Sequence, residues 1–278
     1  MPPRILPRFG APFGTCLIAC ALLTFCDPSH AGAAPKKTVT VPQAASPAAL
    51  SARAIAALDT LPLETRVAAW AAAAAAPQRF EGLLAAAEAA RRADPWLLFL
   101  VDALRALPRD YEPSDLVSLD GSGLSLSRAG HRLRRPARDA LLEMDSAARA
   151  AGVLLLVSSA YRSFDYQAGV WERGVAAEGE AAAAAVIARA GHSQHQLGMA
   201  IDFGSIDESF AETAASIWLE RNAARFGFSL SFPRSGSGET GYSWESWHYR
   251  FVGKAVAVLE REFFDGFQHR CLAFLSAY

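Results

Sequence analysis

The sequence predicts an α+β protein with a small sheet, preceded by an all-helical segment. The strands are few, because short apolar runs such as residues 153–158 and 199–203 are separated by helical patterns and long loops. Residues 49–103 are rich in alanine, leucine and arginine, which favour helix. The chain has no internal repeat of fixed period, so a repeating strand–helix array is not expected.

Local patterns predict the elements in chain order. Pro62, Pro77 and Pro95 divide the alanine-rich stretch into three or four short helices. Residues 108–120 then break the helical pattern. The helices predicted beyond this break are residues 133–152, 164–189 (one helix or two), 208–226 and 254–264. The predicted strands are residues 153–158, 199–203, 228–232 and 247–252, and residues 233–242 form a glycine- and serine-rich loop.

The N-terminus has the order of a secretory signal. Two arginines precede a short apolar run, and residues 31–33 resemble a small-residue cleavage site. We therefore expect a signal peptide over residues 1–33, a linker over residues 34–48, and a periplasmic or secreted protein without a stable membrane span after cleavage. Cleavage would leave Cys271 as the single cysteine, so no intramolecular disulfide is expected. A lipoprotein modified at Cys20 and an uncleaved anchor are the alternatives.

The composition excludes several partners and reaction classes. The 27 basic and 28 acidic residues give a net charge of −1, so we expect no nucleic-acid partner and no binding to an anionic membrane. No Ser-x-x-Lys, His-Glu-x-x-His or Gly-x-Ser-x-Gly motif occurs, which excludes three common hydrolase types. A Gly-x-Gly-x-x-Gly match at residues 236–241 precedes a strand rather than a helix, so it does not indicate a dinucleotide site.

A small set of polar side chains points to metal-dependent hydrolysis. His195 stands in a short loop, and Asp202 follows in an apolar strand, where a carboxylate must be paired, hydrogen-bonded or coordinated. This spacing alone fits a hydrogen-bonded pair as well as a metal site. His248 adds a third candidate ligand, and Glu245, three residues earlier, supplies a general base and acid. Arg162 follows the first strand, where it can stabilise an oxyanion or form a structural ion pair.

Three segments carry these residues in a specific order. They read SAYRS (159–163), SQHQLGMAID (193–202) and ESWH (245–248), after LPRDYEPSDL (107–116). They resemble the VanY-type D-alanyl-D-alanine carboxypeptidases, zinc peptidases that share a fold with the hedgehog signalling domain and carry S-G-Y-R-S, S-x-H-x-x-G-x-A-x-D and E-x-W-H. Ala160 replaces a glycine and Ser246 a frequent proline, and neither change removes a reactive group.

The resemblance implies a small antiparallel sheet flanked by helices and a bacterial cell-wall stem peptide as substrate. It implies a zinc carboxypeptidase domain over residues 104–265, which leaves a helical region (49–103) before it and a C-terminal tail (266–278) after it. The implied site residues are the zinc ligands His195, Asp202 and His248, the general base Glu245, the oxyanion-stabilising Arg162, and the substrate-binding residues Ser193, Gln167 and Ser159.

The leading hypothesis is a secreted zinc-dependent D,D-carboxypeptidase that removes the C-terminal D-alanine from peptidoglycan stem peptides. The alternatives are an L,D-carboxypeptidase acting on tetrapeptide stems, a D-Ala-D-Ala dipeptidase, and a non-catalytic zinc-stabilised cell-wall-binding module. Glu245 argues against the last, because a structural zinc needs no carboxylate beside an open position. The motifs do not separate the three enzymes and do not give the oligomeric state.

Overall fold

The computed structural model describes residues 50–278, and the predicted signal peptide and linker lie outside them. The described chain begins with three helices, α1 (Ala52–Asp59), α2 (Leu63–Ala75) and α3 (Pro77–Ala93). Ser51 caps α1 by accepting a hydrogen bond from the Ala54 N–H. Pro77 begins α3, where a helix needs no amide hydrogen. The alanine-rich stretch is thus divided by local caps and prolines into separate helices.

A small sheet forms the centre of the remaining chain. The strands are β1 (Leu116–Ser118), β2 (Ser125–Leu126), β3 (Arg132–Arg134), β4 (Leu156–Ser159), β5 (Ala200–Phe203), β6 (Phe228–Leu230) and β7 (His248–Phe251). Five of them make one sheet in the order β2-β4-β5-β7-β6, in which β2 and β4 are parallel and the other pairs antiparallel. Strands β1 and β3 form a separate antiparallel pair. The predicted α+β class is confirmed.

Helices flank this sheet. They are α4 (Arg135–Ala150), α5 (Phe164–Glu178), α6 (Glu180–Val186), α7 (Ala214–Asn222), α8 (Ser237–Thr240), α9 (Lys254–Phe263) and α10 (Gln268–Ala277). The last of them occupies the segment predicted as a C-terminal tail. Within residues 50–278, none of the helices combines the length and apolar character that crossing a bilayer requires.

Some predicted elements differ from the observed ones. The helix predicted over residues 208–226 is divided, with α7 at its centre and 3-10 turns at residues 208–212 and 223–226. Thr213 causes the first break, because its backbone is extended and its side chain caps α7. The helix predicted over residues 133–152 begins two residues later, since β3 pairs with β1 just before it. The loop over residues 233–242 contains the short helix α8.

Two apolar cores organise the described chain. The helical core joins α1, α2 and α3 to α9 and α10 around Phe80, Leu84 and Phe274. The sheet core lies between α4 and the five-stranded sheet, around Leu141 and Phe203. The first and last helices of the described chain therefore pack together, and α9 belongs to the helical core although it directly follows β7.

Glu260, on α9, is a buried carboxyl. Its side chain is 3% exposed, and burial raises the pKa of its carboxyl from 4.5 to about 8. Between these two values the folded state keeps the carboxyl protonated while the unfolded chain ionises it. Because the folded state then binds more protons, this carboxyl makes the free energy of unfolding fall as pH rises through about 8.

We expect Glu260→Gln to remove this pH dependence, because the amide keeps the size of the side chain and does not ionise. The melting temperature of the variant should match that of the wild type near pH 5 and exceed it by about 5 °C near pH 9. Thermal unfolding followed by circular dichroism measures the difference. Glu262→Gln is the control: Glu262 is exposed on the same helix and paired with Arg79, so it should give no gain at high pH. An equal shift at both pH values for Glu260→Gln would contradict the assignment.

Candidate metal centre and cleft

Strands β5 and β7 place two of the predicted ligands side by side. Asp202 in β5 lies opposite His248 in β7 in the antiparallel register. His195 lies in a 3-10 turn (Gln194–Leu197) that leads into β5. Gly198 ends this turn with a φ of 69°, and a Cβ there would come within 2.9 Å of two neighbouring side chains. Glycine is therefore required at the point where the chain passes from the turn into β5.

The three side chains form a buried cluster whose ligand atoms all lie within 4.8 Å of one another. Asp202 Oδ2 is 3.1 Å from His195 Nε2, and Asp202 Oδ1 is 3.1 Å from His248 Nδ1. Asp202 is 2% exposed, and its Oδ1 has no hydrogen-bond partner among the described residues. Buried polar oxygens are rarely left without a partner, so this atom indicates a missing ligand.

The second nitrogen of each imidazole faces an acceptor. His195 Nδ1 lies 2.7 Å from the Ala160 carbonyl oxygen, and His248 Nε2 lies 3.4 Å from Gln194 Oε1. Each of these nitrogens therefore carries a proton and donates it. In the neutral ring the nitrogen that faces Asp202 then presents a lone pair, which is the usual arrangement of a metal-binding histidine.

The charges of the cluster follow from its burial. Burial and, to a smaller extent, the charge of Arg162 lower the pKa of His195 to about 4, so this ring is neutral at pH 7. Burial favours the protonated form of Asp202, but the two histidines outweigh it and hold the pKa of this carboxyl well below its usual range. Burial also disfavours charge on His248, yet the adjacent carboxylates of Asp202 and Glu245 raise its pKa to about 9. A cation bound at Nδ1 therefore replaces a proton.

The donor set fits zinc. Two imidazole nitrogens and one carboxylate oxygen leave the fourth position of a tetrahedral zinc ion open. Donors about 2.0–2.1 Å from a tetrahedral ion lie roughly 3.3 Å apart. One oxygen of Asp202 lies 3.1 Å from the His195 nitrogen and the other lies 3.1 Å from the His248 nitrogen, so either oxygen has one histidine donor near this spacing. The unpartnered Asp202 Oδ1 and the orientation of both rings are consistent with the same ion.

Glu245 lies beside this group. Its Oε2 is 3.4 Å from His248 Nδ1, and its side chain lines the cleft above the cluster. Its backbone N–H donates to the Phe232 carbonyl at 3.0 Å, which fixes the loop that leads into β7. Burial raises the pKa of its carboxyl. A carboxyl with a raised pKa at this position is suited to accept a proton and release it again.

Arg162 reaches the cluster from the end of β4. Its Nη2 donates to Asp202 Oδ2 at 2.7 Å, and its Nε donates to Ser159 Oγ at 2.9 Å. Its Nη1 lies 3.4 Å from Gln167 Oε1. A guanidinium has five N–H groups, so two are left for a ligand in the cleft that the side chain lines. Arg162 thus forms the ion pair and also faces the cleft.

The three predicted substrate-binding residues occupy different positions. Ser193 and Gln167 line the cleft, whereas Ser159 lies behind Arg162 and is not part of the lining. Ser193 Oγ also accepts a hydrogen bond from the His195 N–H at 3.3 Å, which caps the turn. Gln167 also donates to the Ala188 carbonyl at 2.8 Å, so it links Arg162 to the segment that follows α6.

Sequence reasoning missed most of the cleft wall. The cleft has a volume of about 190 Å³ and a lining in which polar and apolar residues are mixed. Its large apolar residues are Val170, Val186, Ile187, Ile206, Phe232, Tyr242 and Trp247. Phe232 and Tyr242 flank the glycine- and serine-rich loop, and the Phe232 ring centroid is 4.8 Å from that of His248. The sequence did offer one signal for this part of the cleft, namely aromatic residues at both ends of the loop that precedes the His248 segment.

A family model described as VanY: D-alanyl-D-alanine carboxypeptidase matches residues 130–254, which include the three metal-binding side chains, Glu245 and Arg162. The structure of the LdcB LD-carboxypeptidase is 36% identical with a TM-score of 0.56, covering 60% of this chain and 81% of that one. A variant of the vancomycin resistance D,D-pentapeptidase VanY in complex with Zn(II) is 32% identical with a TM-score of 0.51, covering 60% and 98%. The chain belongs to the VanY family.

The VanY family match leaves part of the chain outside. The putative carboxypeptidase YodJ of Bacillus subtilis (strain 168) is 38% identical over 168 residues, which are 58% of this chain and 62% of YodJ. The chain spans 62%, 66% and 54% of the first curated relatives. Helices α1, α2, α3 and α10 lie outside the residues matched to the VanY model. The Zn(II) of the VanY structure agrees with the donor set described above.

We expect Asp202→Asn to weaken zinc binding by more than about 100-fold, because an amide cannot supply the anionic donor between the two histidines. Competition with a chromophoric chelator measures the dissociation constant of zinc. His192→Ala is the matched control, since His192 lines the same cleft but is not part of the metal group. Its affinity for zinc should stay within about threefold of the wild type. Tight, stoichiometric zinc in Asp202→Asn would refute the ligand set.

Proposed function

We propose that this protein is a secreted zinc-dependent D,D-carboxypeptidase that removes the C-terminal D-alanine from peptidoglycan stem peptides. The observation that carries the proposal is the placement of Glu245 Oε2, 3.4 Å from the ligand nitrogen of His248, in the cleft of a VanY-family chain. A binding module would not need an acid–base group at the open side of its metal. The stem peptide is the partner, and no nucleic acid is involved.

His195, Asp202 and His248 would hold the zinc. Bound there, zinc supplies a water of lowered pKa and polarises the peptide carbonyl. Glu245 takes a proton from the attacking water and delivers it to the nitrogen of the leaving D-alanine as the C–N bond breaks. Its raised pKa suits both halves of this transfer, because the carboxyl releases the proton it has accepted.

Arg162 would stabilise the oxyanion of the tetrahedral intermediate through the two N–H groups that residues 50–278 leave without an acceptor. Ser159 and Gln167 hold the guanidinium in place, so the cation is oriented before substrate arrives. Ser193 and Gln167 then offer polar contacts to the peptide, and the apolar residues of the lining would contact its apolar parts.

An L,D-carboxypeptidase acting on tetrapeptide stems is the second candidate, because LdcB is an LD-carboxypeptidase and is 36% identical to this chain. The metal group, Glu245 and Arg162 serve both reactions equally. The difference lies in the residue before the scissile bond, which is D-alanine in a pentapeptide stem and an L-configured centre in a tetrapeptide stem. A dipeptidase that acts on free D-Ala-D-Ala is a third outcome of the same assay.

The site supports the remaining assignments indirectly. A cell-wall substrate lies outside the cytoplasm, which agrees with the signal sequence predicted over residues 1–33. We assign the peptidase domain to residues 104–265, since all the site residues fall in this range. The helical region over residues 49–103 contributes no side chain to the cleft lining.

We expect Glu245→Gln to bind zinc and lose turnover. The amide keeps the shape of the side chain and cannot accept a proton, so kcat should fall by about 10²–10⁴-fold. The substrate is a pentapeptide stem ending in D-Ala-D-Ala, product mass reports the loss of one alanine, and bound zinc is measured in parallel. Glu208→Gln, an exposed carboxylate two residues from the cleft residue Ile206, should retain full activity. Unchanged kcat in Glu245→Gln would remove the proposed mechanism.

The wild-type protein should shorten the pentapeptide and leave a matched tetrapeptide intact, with the activity stopped by chelator and restored by zinc. Cleavage of the tetrapeptide alone would favour the L,D-carboxypeptidase, and cleavage of free D-Ala-D-Ala alone would favour the dipeptidase. A zinc-loaded, folded protein that leaves all three untouched would favour the binding module.

A further inference from the structure

A buried polar chain lies behind the metal group, on the side of His248 that faces away from Asp202. Gln194 Oε1 is 3.4 Å from His248 Nε2 and accepts a hydrogen bond from Ser231 Oγ at 2.7 Å. Gln194 Nε2 lies 3.4 Å from Gln268 Oε1, and Ser231 Oγ lies 3.3 Å from the same oxygen. Gln268, which begins α10, is 1% exposed. The chain thus runs from the ligand histidine to the C-terminal helix.

Each amide in this chain has one orientation that satisfies its neighbours. Gln268 Nε2 donates to the Ser229 carbonyl at 3.3 Å, so Gln268 Oε1 must face Gln194. Gln194 then places its Nε2 toward that oxygen and its Oε1 toward His248. An acceptor at this position requires the proton of His248 on Nε2 when Nδ1 binds a cation. The orientation of one glutamine therefore sets that of the next and, through it, the ring.

We propose that Gln268 is a positioning residue for the metal centre, which holds the His248 ring in its metal-binding orientation through Gln194. Gln268 touches neither the metal group nor the cleft lining. Its helix lies outside the residues matched to the VanY model and packs in the helical core with α1, α2 and α3. The helical core thus reaches the metal centre through a buried polar side chain.

Ser231 strengthens this connection from the strand side. Its backbone N–H donates to the His248 carbonyl at 3.1 Å, and its hydroxyl reaches Gln194 Oε1. The backbone of β7 and the side chain of Gln194 are therefore held by the same residue. Since every member of the chain is at least nine-tenths buried, water has no access to replace a lost partner.

The test measures zinc retention and does not depend on peptide turnover. In the full chain, Gln268→Met keeps the length of the side chain and removes both polar atoms. We expect its dissociation constant for zinc, from chelator competition, to rise about 10-fold, as when an outer partner of a ligand is lost. The visible absorption bands of the Co(II)-substituted protein should shift, because they report the geometry of the ligand field. Failure of the proposed peptidase activity would leave both readouts intact.

Gln194→Met should weaken zinc binding at least as much as Gln268→Met. The double variant should bind zinc as tightly as Gln194→Met alone, because Gln268 acts through Gln194. Ser231→Ala is a milder variant that keeps the test decisive if Gln268→Met does not fold, and it should also raise the dissociation constant. Leu272→Ala, one turn further along α10, is the matched control for helix packing. It should lower the melting temperature and leave zinc affinity and the Co(II) spectrum unchanged.

Either of two results in the single variants would overturn the proposal, and so would a third in the double variant. One is wild-type zinc affinity and an unchanged Co(II) spectrum in Gln268→Met or, where that variant does not fold, in Ser231→Ala. The other is an equal loss of zinc in Leu272→Ala, which would mean that any loosening of α10 disturbs the metal centre. Additive losses in the double variant would likewise show that Gln268 does not act through Gln194.

Discussion

The structure depends on one ionised carboxylate held in the middle of a sheet. An unpaired charge such as that of Asp202 would cost several kcal/mol or more to bury. Arg162 and the two histidines reduce this cost by facing both of its oxygens at 2.7–3.1 Å. The same three contacts bring the guanidinium, two metal-binding nitrogens and an anionic oxygen together in one cleft. The contacts that make burial of the charge possible therefore also form the site.

Strand register is the means by which the carboxylate and its partners meet. Asp202 lies opposite His248 because β5 and β7 pair in one antiparallel register, and a slip of one residue would turn one of the two side chains to the opposite face. His195 joins them because the turn before β5 returns sharply at Gly198. Glu245 follows from the same register, since it lies three residues before His248 in the loop that enters β7.

The sequence predicts the part of the site whose residues lie close together along the chain. His195 and Asp202 are joined by one turn and the start of one strand, and Glu245 by one short loop to His248, so local patterns placed them correctly relative to each other. Ser159 was predicted to bind substrate, and the structure instead places it behind Arg162, because β4 ends with that side chain turned inward. Such orientation depends on packing, which single-sequence patterns do not contain.

The rest could not be predicted because it depends on distant contacts. Gln194 and Gln268 are separated by 74 residues, and neither carries a motif that indicates the other. The helix predicted over residues 208–226 was divided for a different and local reason: the Thr213 side chain accepts a hydrogen bond from the Ser216 N–H and so competes with a continuous helix. Helical periodicity reflects only the spacing of apolar residues, so it does not detect this competition.

The helical core explains how β7, which carries a buried charge and a metal ligand, stays in place. β7 leads through Gly253 directly into α9, whose apolar face packs in the helical core with α3. Arg250, fully buried in the same strand, donates to the carbonyls of Leu97 and Phe99 at 2.9 Å each, which ties β7 to the segment that follows α3. Gln268 approaches from α10 on the side of His248. Elements that pack in or beside the helical core therefore hold β7 at its end, along its length and near His248. The apolar burial in that core stabilises a cleft whose own polar groups are costly to bury.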